Sequence, residues 1–423
     1  MNPHLWRMSV ISSRSYEFVS SGVESSGGTL DEAAKLAARP FLLMEGGPLF
    51  TLQKRVGLIK EGYPYLKRRA IFAALITWVP LLILAGMQGL AFGHNVPVPF
   101  LKDFSGYTRF LLAVPLLLLA ENVLGPRIAE AAAHFVTSGV IREKDFQRFD
   151  GLVRSGLRLR DSVAAEIILA ALAYLLGWVA LREIPNHVST WYRSSAETGG
   201  TLTWAGYWLV GFCTPLFQFL VLRWLWRLFL WFHFLSGVCK LDLQLFPTHP
   251  DEAAGLGFVG DAQRFFGIIL FAFSLASAGV LAREIVYDHI PLVTYAPSIA
   301  TYVVIALLIV VGPLMVFTGV LLKTKRVGLH QYGALATTYT GSFHQKWIEH
   351  QAPEQEPLLG SADIQSLADL GNSYGYVEKM KPLPVDPRTL LHLVLASLLP
   401  LTPLLLTVMP LKDILKLLLK AFA

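Results

Sequence analysis

Glu121, Glu166, Arg223 and Arg227 are charged side chains that fall inside long apolar runs of this 423-residue chain. A charge held within hydrocarbon is costly, so such a residue marks a polar path, a ligand site or an ion pair between helices. Arg223 and Arg227 are four apart and share one face of a helix. Glu121 lies near the end of its run and Glu166 near the start of the next, which brings all four to a similar depth near the inner leaflet. Two readings are open. The residues line a charged vestibule for an ion or solute, or they form a structural ion-pair set, with the arginines reaching toward lipid phosphate.

The densest polar motif is the stretch Leu241–Asp251, LDLQLFPTHPD, which contains Asp242, His249, Pro250 and Asp251. Imidazole and carboxylate both suit a metal ion, so His249 and Asp251 are candidate ligands, without a third at ligand spacing. The alternative is a tight turn in which Pro250 fixes the backbone and Asp251 caps the next helix or turn. His233 lies in an aromatic run and is expected to be partly buried and hydrogen-bonded. The two cysteines, Cys213 and Cys239, provide neither a disulfide framework nor a zinc site and read as small buried hydrophobes. No nucleophile elbow, paired-histidine metalloprotease motif, phosphate-binding loop or paired-cysteine redox motif is present, so no enzyme class and no cofactor is indicated.

These residues need helices to place them. Seven apolar stretches run at Ala70–Phe92, Tyr107–Gly125, Ser162–Leu181, Thr203–Phe234, Phe265–Ala282, Ser298–Leu322 and Thr389–Pro410. Each is close to or above the ~20 residues that span ~30 Å of hydrocarbon. A backbone in lipid must satisfy its own hydrogen bonds, so the stretches are helices. With 54% hydrophobic and 16% charged residues, the chain is expected to be an all-α, polytopic membrane protein. Pro215 predicts a kink in the fourth stretch, and Trp224, Trp226 and Trp231 predict an interfacial belt. The last stretch contains Pro400, Pro403 and Pro410, and either crosses fully or turns back as a re-entrant hairpin.

The formal charge of +6 suggests nucleic acid until its distribution is traced along the chain. Of the 36 Lys and Arg, 28 lie in residues 1–69, 126–162, 223–264 and 323–388, and 8 lie in the alternate segments. That bias places the N-terminus in the cytoplasm and favours anionic lipid over nucleic acid. The expected organisation begins with a disordered tail (1–30) without a cleavable signal, then an interfacial segment (31–69) in which Lys67–Arg69 acts as a cytoplasmic stop. A six-helix core (70–322) then carries cytoplasmic loops 126–161 and 236–264. A cytoplasmic helical segment (323–388) comes next, with a helix capped at Ser361. The last crossing and an amphipathic helix bearing Lys412, Lys416 and Lys420 make up residues 389–423.

Two stretches carry a resemblance. Trp226–Gly260 matches the pattern WRxxLWFHFLxxVxxLDLxLxPTHPDxAxGLGFxG, and Pro357–Leu370 reads PLLGSADIQSLADL. Both resemble a family of uncharacterised multi-pass membrane proteins from bacteria, mostly proteobacteria. The resemblance implies the bacterial inner membrane and no particular activity. Ala254 departs from it, standing where the family pattern has glycine.

The residues thus point to a channel or transporter for a small ion or solute, working as a homo-oligomer, with Glu121, Glu166, Arg223 and Arg227 at a cytoplasmic vestibule. The competing expectation is a membrane scaffold or sensor whose cytoplasmic loops bind a protein partner.

Overall fold

A computed structural model describes residues 40–55, 57, 66–93, 95–182, 190–194, 200–349, 351, 357 and 361–408. The tail at 1–30 and the stretch bearing Lys412, Lys416 and Lys420 lie outside the described residues. Among the described residues the chain is an all-α bundle with seven helices long and apolar enough to cross a membrane. No β-strand occurs among the described residues, only two isolated bridges, Ile141 with Leu243 and Arg193 with Leu202.

The short helix α1 (Pro48–Arg55) precedes the first span, α2 (Leu66–Met87). Helix α3 (Phe104–Thr137) returns, and α4 (Phe146–Arg160) lies across the same end as the α3 terminus. Next come α5 (Val163–Arg182), α6 (Trp204–Val238), α7 (Gly257–Tyr287), α8 (Leu292–Ile348), α9 (Ala362–Lys379) and α10 (Pro387–Thr407). The starts of α2, α5, α7 and α10, the later parts of α3 and α6 and the middle of α8 lie at one end of the bundle, called here the basic end for its Lys and Arg.

Burial sorts the spans. Half of the apolar window of α3 and of α7 is buried, against 11% for α5. Helices α3 and α7 therefore form the centre, while α5 exposes Ile167, Ile168, Leu175 and Trp178 to its surroundings. An unbroken apolar face of that kind is what lipid solvates and water does not.

Prolines set where the helices depart from α geometry. Proline has no N–H to donate, and its ring crowds the carbonyl one turn back. In α3 a π-helical turn, Tyr107–Ala113, precedes Pro115, and in α6 another, Leu209–Cys213, precedes Pro215. Each widened turn absorbs the crowding, so the fourth stretch carries a π-turn beside Pro215. In α8, Pro313 accompanies a 3₁₀ segment, Gly312–Phe317, and in α10 Pro400 and Pro403 lie in Leu399–Thr407, also 3₁₀. In the last helix Leu401 and Leu404 pack with Ala278, Ile285 and Leu292.

Two expectations change. Trp224 and Trp231 are buried rather than interfacial, since their N–H groups find partners inside the bundle: Trp224 Nε1 donates to the Leu117 carbonyl (3.1 Å) and Trp231 Nε1 to Gln263 Oε1 (3.0 Å). Ser361 makes no capping bond with its side chain, and Asp363 accepts instead from Lys346 Nζ and Trp347 Nε1, both at 2.9 Å. That pair pins α9 to the projecting end of α8.

Close packing of α3 on α7 depends on Gly279. A Cβ there would lie 2.9 Å from the Phe104 carbonyl oxygen and closer still to Thr108. Gly279→Val is expected to cost about 1–3 kcal/mol through overpacking, read as a lower unfolding temperature of the detergent-solubilised protein.

Candidate functional site

The charged residues of the spans converge on Glu121, in the middle of α3. Its Oε2 accepts from Arg69 Nη1 on α2 at 3.1 Å. Its Oε1 accepts from Arg227 Nη1 at 2.9 Å and more distantly from Arg223 Nη1 at 3.4 Å, both on α6. Arg69, Glu121, Arg223 and Arg227 are 4%, 6%, 5% and 3% exposed, so all four charges lie away from solvent. Three guanidiniums on one carboxylate leave the centre with an excess of positive charge, which Glu166, near enough to act on Arg223, reduces. Arg69 Nε and Nη2 are buried without a hydrogen-bond partner.

Helix geometry explains the convergence. Arg223 and Arg227 lie one turn apart on α6, and Trp224 beside them anchors that face to α3. The Arg227 guanidinium lies 5.0 Å from the centre of the Trp224 ring, where the aromatic face attracts a cation. Arg227 Nη2 also donates to the Met44 carbonyl at 3.2 Å.

That last bond ties in the segment before α1. Phe41, Leu43 and Met44 are buried in the bundle at its basic end, with Phe41 stacked on Phe234 at 4.5 Å. Arg160 Nη1 donates to the Glu45 carbonyl (2.7 Å), and Asp161 Oδ1 accepts from the Gly47 N–H (2.8 Å). Burial opposes the Asp161 charge, but the Arg160 hydrogen bond and charge and the Gly47 N–H outweigh it and hold the carboxyl below its usual range. Glu166 belongs to this clamp rather than to the Glu121 contacts: its Oε2 accepts from the Leu49 N–H at 2.7 Å.

Sequence reasoning grouped Glu121, Arg223 and Arg227, which the structure brings together, and Glu166, which it places against residues 47–49. It missed Arg69, which read as part of a topological stop. Its signal was position alone, as the last charge before the apolar run. His233, expected to be partly buried, is exposed and stacks on Phe229.

The Asp251 motif folds as a turn. Asp251 Oδ1 accepts from the N–H of Ala253 (2.8 Å), Oδ2 from that of Gly257 (2.8 Å), and both from that of Gly255 (3.1 Å). His249 Nδ1 lies 2.8 Å from Oδ1, and Pro250 stands between the two. Burial works against the charge, yet the three N–H groups and His249 hold the Asp251 carboxyl below its usual range. Asp242 lies apart, paired with Arg142 (3.0 Å) and Lys144 (2.6 Å). Among the described residues no group of three His, Cys, Asp or Glu could hold a metal ion. Lys381 Nζ bridges Glu252 Oε2 (3.0 Å) and Asp386 Oδ1 (2.7 Å), joining the turn to the start of α10.

No protein-family profile, curated protein or solved structure matches this chain.

Two outcomes are expected. Glu121→Gln leaves three buried guanidiniums without their anion and should cost about 3–5 kcal/mol, read by thermal unfolding. Ala254 sits at φ +57°, which crowds its Cβ against the backbone. Ala254→Gly should therefore stabilise by about 1 kcal/mol in the same assay.

Proposed function

We propose that this membrane protein is a channel or transporter for a small anion, in which the Arg69–Glu121–Arg223–Arg227 cluster forms a closed constriction at the cytoplasmic end. One observation carries the reading: three buried arginines are gathered on a single carboxylate, with two guanidinium nitrogens of Arg69 unpartnered. Burying excess positive charge is costly unless an anion compensates it. Glu121 acts as a tethered anion on the arginines, and a mobile anion reaching them replaces it transiently. The segment at 41–47 covers this constriction from the basic end. The Lys and Arg bias supports a cytoplasmic location for that end and contact with anionic lipids. The resemblance supports the bacterial inner membrane, and the working form is a homo-oligomer.

A scaffold reading has its own support. The α8–α9 hairpin exposes Leu335, Ile348, Ile364 and Tyr376 beyond the apolar spans, where a protein partner would cover them.

Flux in proteoliposomes separates the two. Chloride or nitrate efflux is expected from the native protein, and Arg223→Ala is expected to change it by about tenfold, the equivalent of ~1.4 kcal/mol. Absence of flux for anions, cations and protons from correctly inserted protein would refute the transport reading and leave the hairpin as the functional surface.

A further inference from the structure

A second site lies at the opposite end of the bundle from Glu121. A cavity of about 260 Å³ opens there between α3, α5, α6 and α7, with Trp191 and Tyr192 of the loop after α5 in its lining. Its polar wall is formed by Arg109 of α3 and Arg283 of α7, and its apolar wall includes Phe110, Leu209 and Val210.

The cavity coincides with the two π-turns. Arg109 and Phe110 belong to Tyr107–Ala113, and Leu209 and Val210 belong to Leu209–Cys213. A π-turn pushes its residues out of helical register, and such turns are frequent where a helix serves a ligand. Here two of them line one space, and Gly177 on α5 contributes no side chain to fill it.

The charges in the cavity do not cancel. Asp103, 2% exposed, is the carboxylate of the lining, and its oxygens serve other donors. Oδ1 accepts from Ser105 N (3.0 Å) and Ser105 Oγ (2.6 Å), and Oδ2 from Trp191 Nε1 (2.8 Å). Arg109 Nε is buried and has no hydrogen-bond partner. Arg283 hydrogen-bonds the Tyr192 side chain and lies near Asp103 and, outside the lining, Asp288. Two guanidiniums thus face one committed carboxylate.

A guanidinium matches a carboxylate fork to fork, and the apolar wall matches a short hydrocarbon chain. The space, about 260 Å³, is ample for a short acid. We propose that this cavity binds a small organic monocarboxylate, its carboxylate on Arg109 and Arg283 and its alkyl part against Phe110, Leu209 and Val210. The assignment is independent of the transport reading, because it concerns binding at equilibrium and requires no flux.

Calorimetric titration of the purified protein in nanodiscs with butyrate tests it, with chloride and phosphate as comparison anions and glycine as a zwitterion. Butyrate is expected to bind in preference to all three. Arg109→Gln and Arg283→Gln should each weaken binding at least tenfold, and Val210→Trp, which fills the cavity and leaves both arginines in the sequence, should abolish it. Thermal unfolding confirms that each variant is folded. Where Arg283→Gln is not, Arg283→Lys keeps the charge and removes the fork, and weakened binding in it supports the site equally. No butyrate binding to the native protein, binding unchanged in folded variants, or equal or stronger binding of chloride, phosphate or glycine would each overturn the proposal.

Discussion

Much of this fold meets at the Glu121 carboxylate. It holds arginines from α2 and α6 while belonging to α3, and through Arg227 it reaches the Met44 carbonyl before α1. Desolvating these groups opposes folding, and their mutual attraction offsets that cost only when every distance is right. A centre of this kind adds little net stability. It penalises every other rotation of the three helices, because any misfit strands a charge in a low-dielectric interior. Apolar packing alone would tolerate several rotations, since lipid solvates a leucine as well as a neighbouring helix does.

Proline provides the second constraint and works at the other end. An α-helix in hydrocarbon has few ways to lose a hydrogen bond, and a wider turn is one of them. Pro115 and Pro215 stand at the same place in two parallel spans, each just after a π-turn, and the bundle opens between those turns. Where glycine replaces larger residues the opposite happens: Gly279 lets α3 and α7 close up, and Gly260 brings α7 against the Pro384 carbonyl. The same backbone therefore has a dry, tight seam and a hollow at neighbouring positions.

How much of this was legible depended on the kind of signal. The helical membrane class came from length and hydropathy, because the bilayer fixes both. The pairing of Arg223 and Arg227 came from their spacing. Rotation about the helix axis had no such source. Glu166, in the first turn of α5, faces residues 47–49 rather than Glu121, and nothing local to its sequence distinguishes the two directions. Trp224 and Trp231 resembled an interfacial belt because composition does not say whether a ring nitrogen meets water or Gln263. Arg69, Arg109 and Arg283 were absorbed into a count of charges by side of the membrane. That count is sound for topology and blind to a side chain that turns inward.

The buried segment at 41–47 has a consequence for the order in which the molecule is made. Its Met44 carbonyl awaits Arg227, 183 residues later in the chain. At ~5–20 residues per second, synthesis takes roughly 10–35 s to supply that partner. Until then Phe41, Leu43 and Met44 have no pocket, and the surface most ready to take them is the lipid interface beside the emerging α2. Docking is then a late, non-local step that closes the loop from the first span to the fourth, and loop closure over so many residues is slow. A segment made before the first span is thus among the last to find its place.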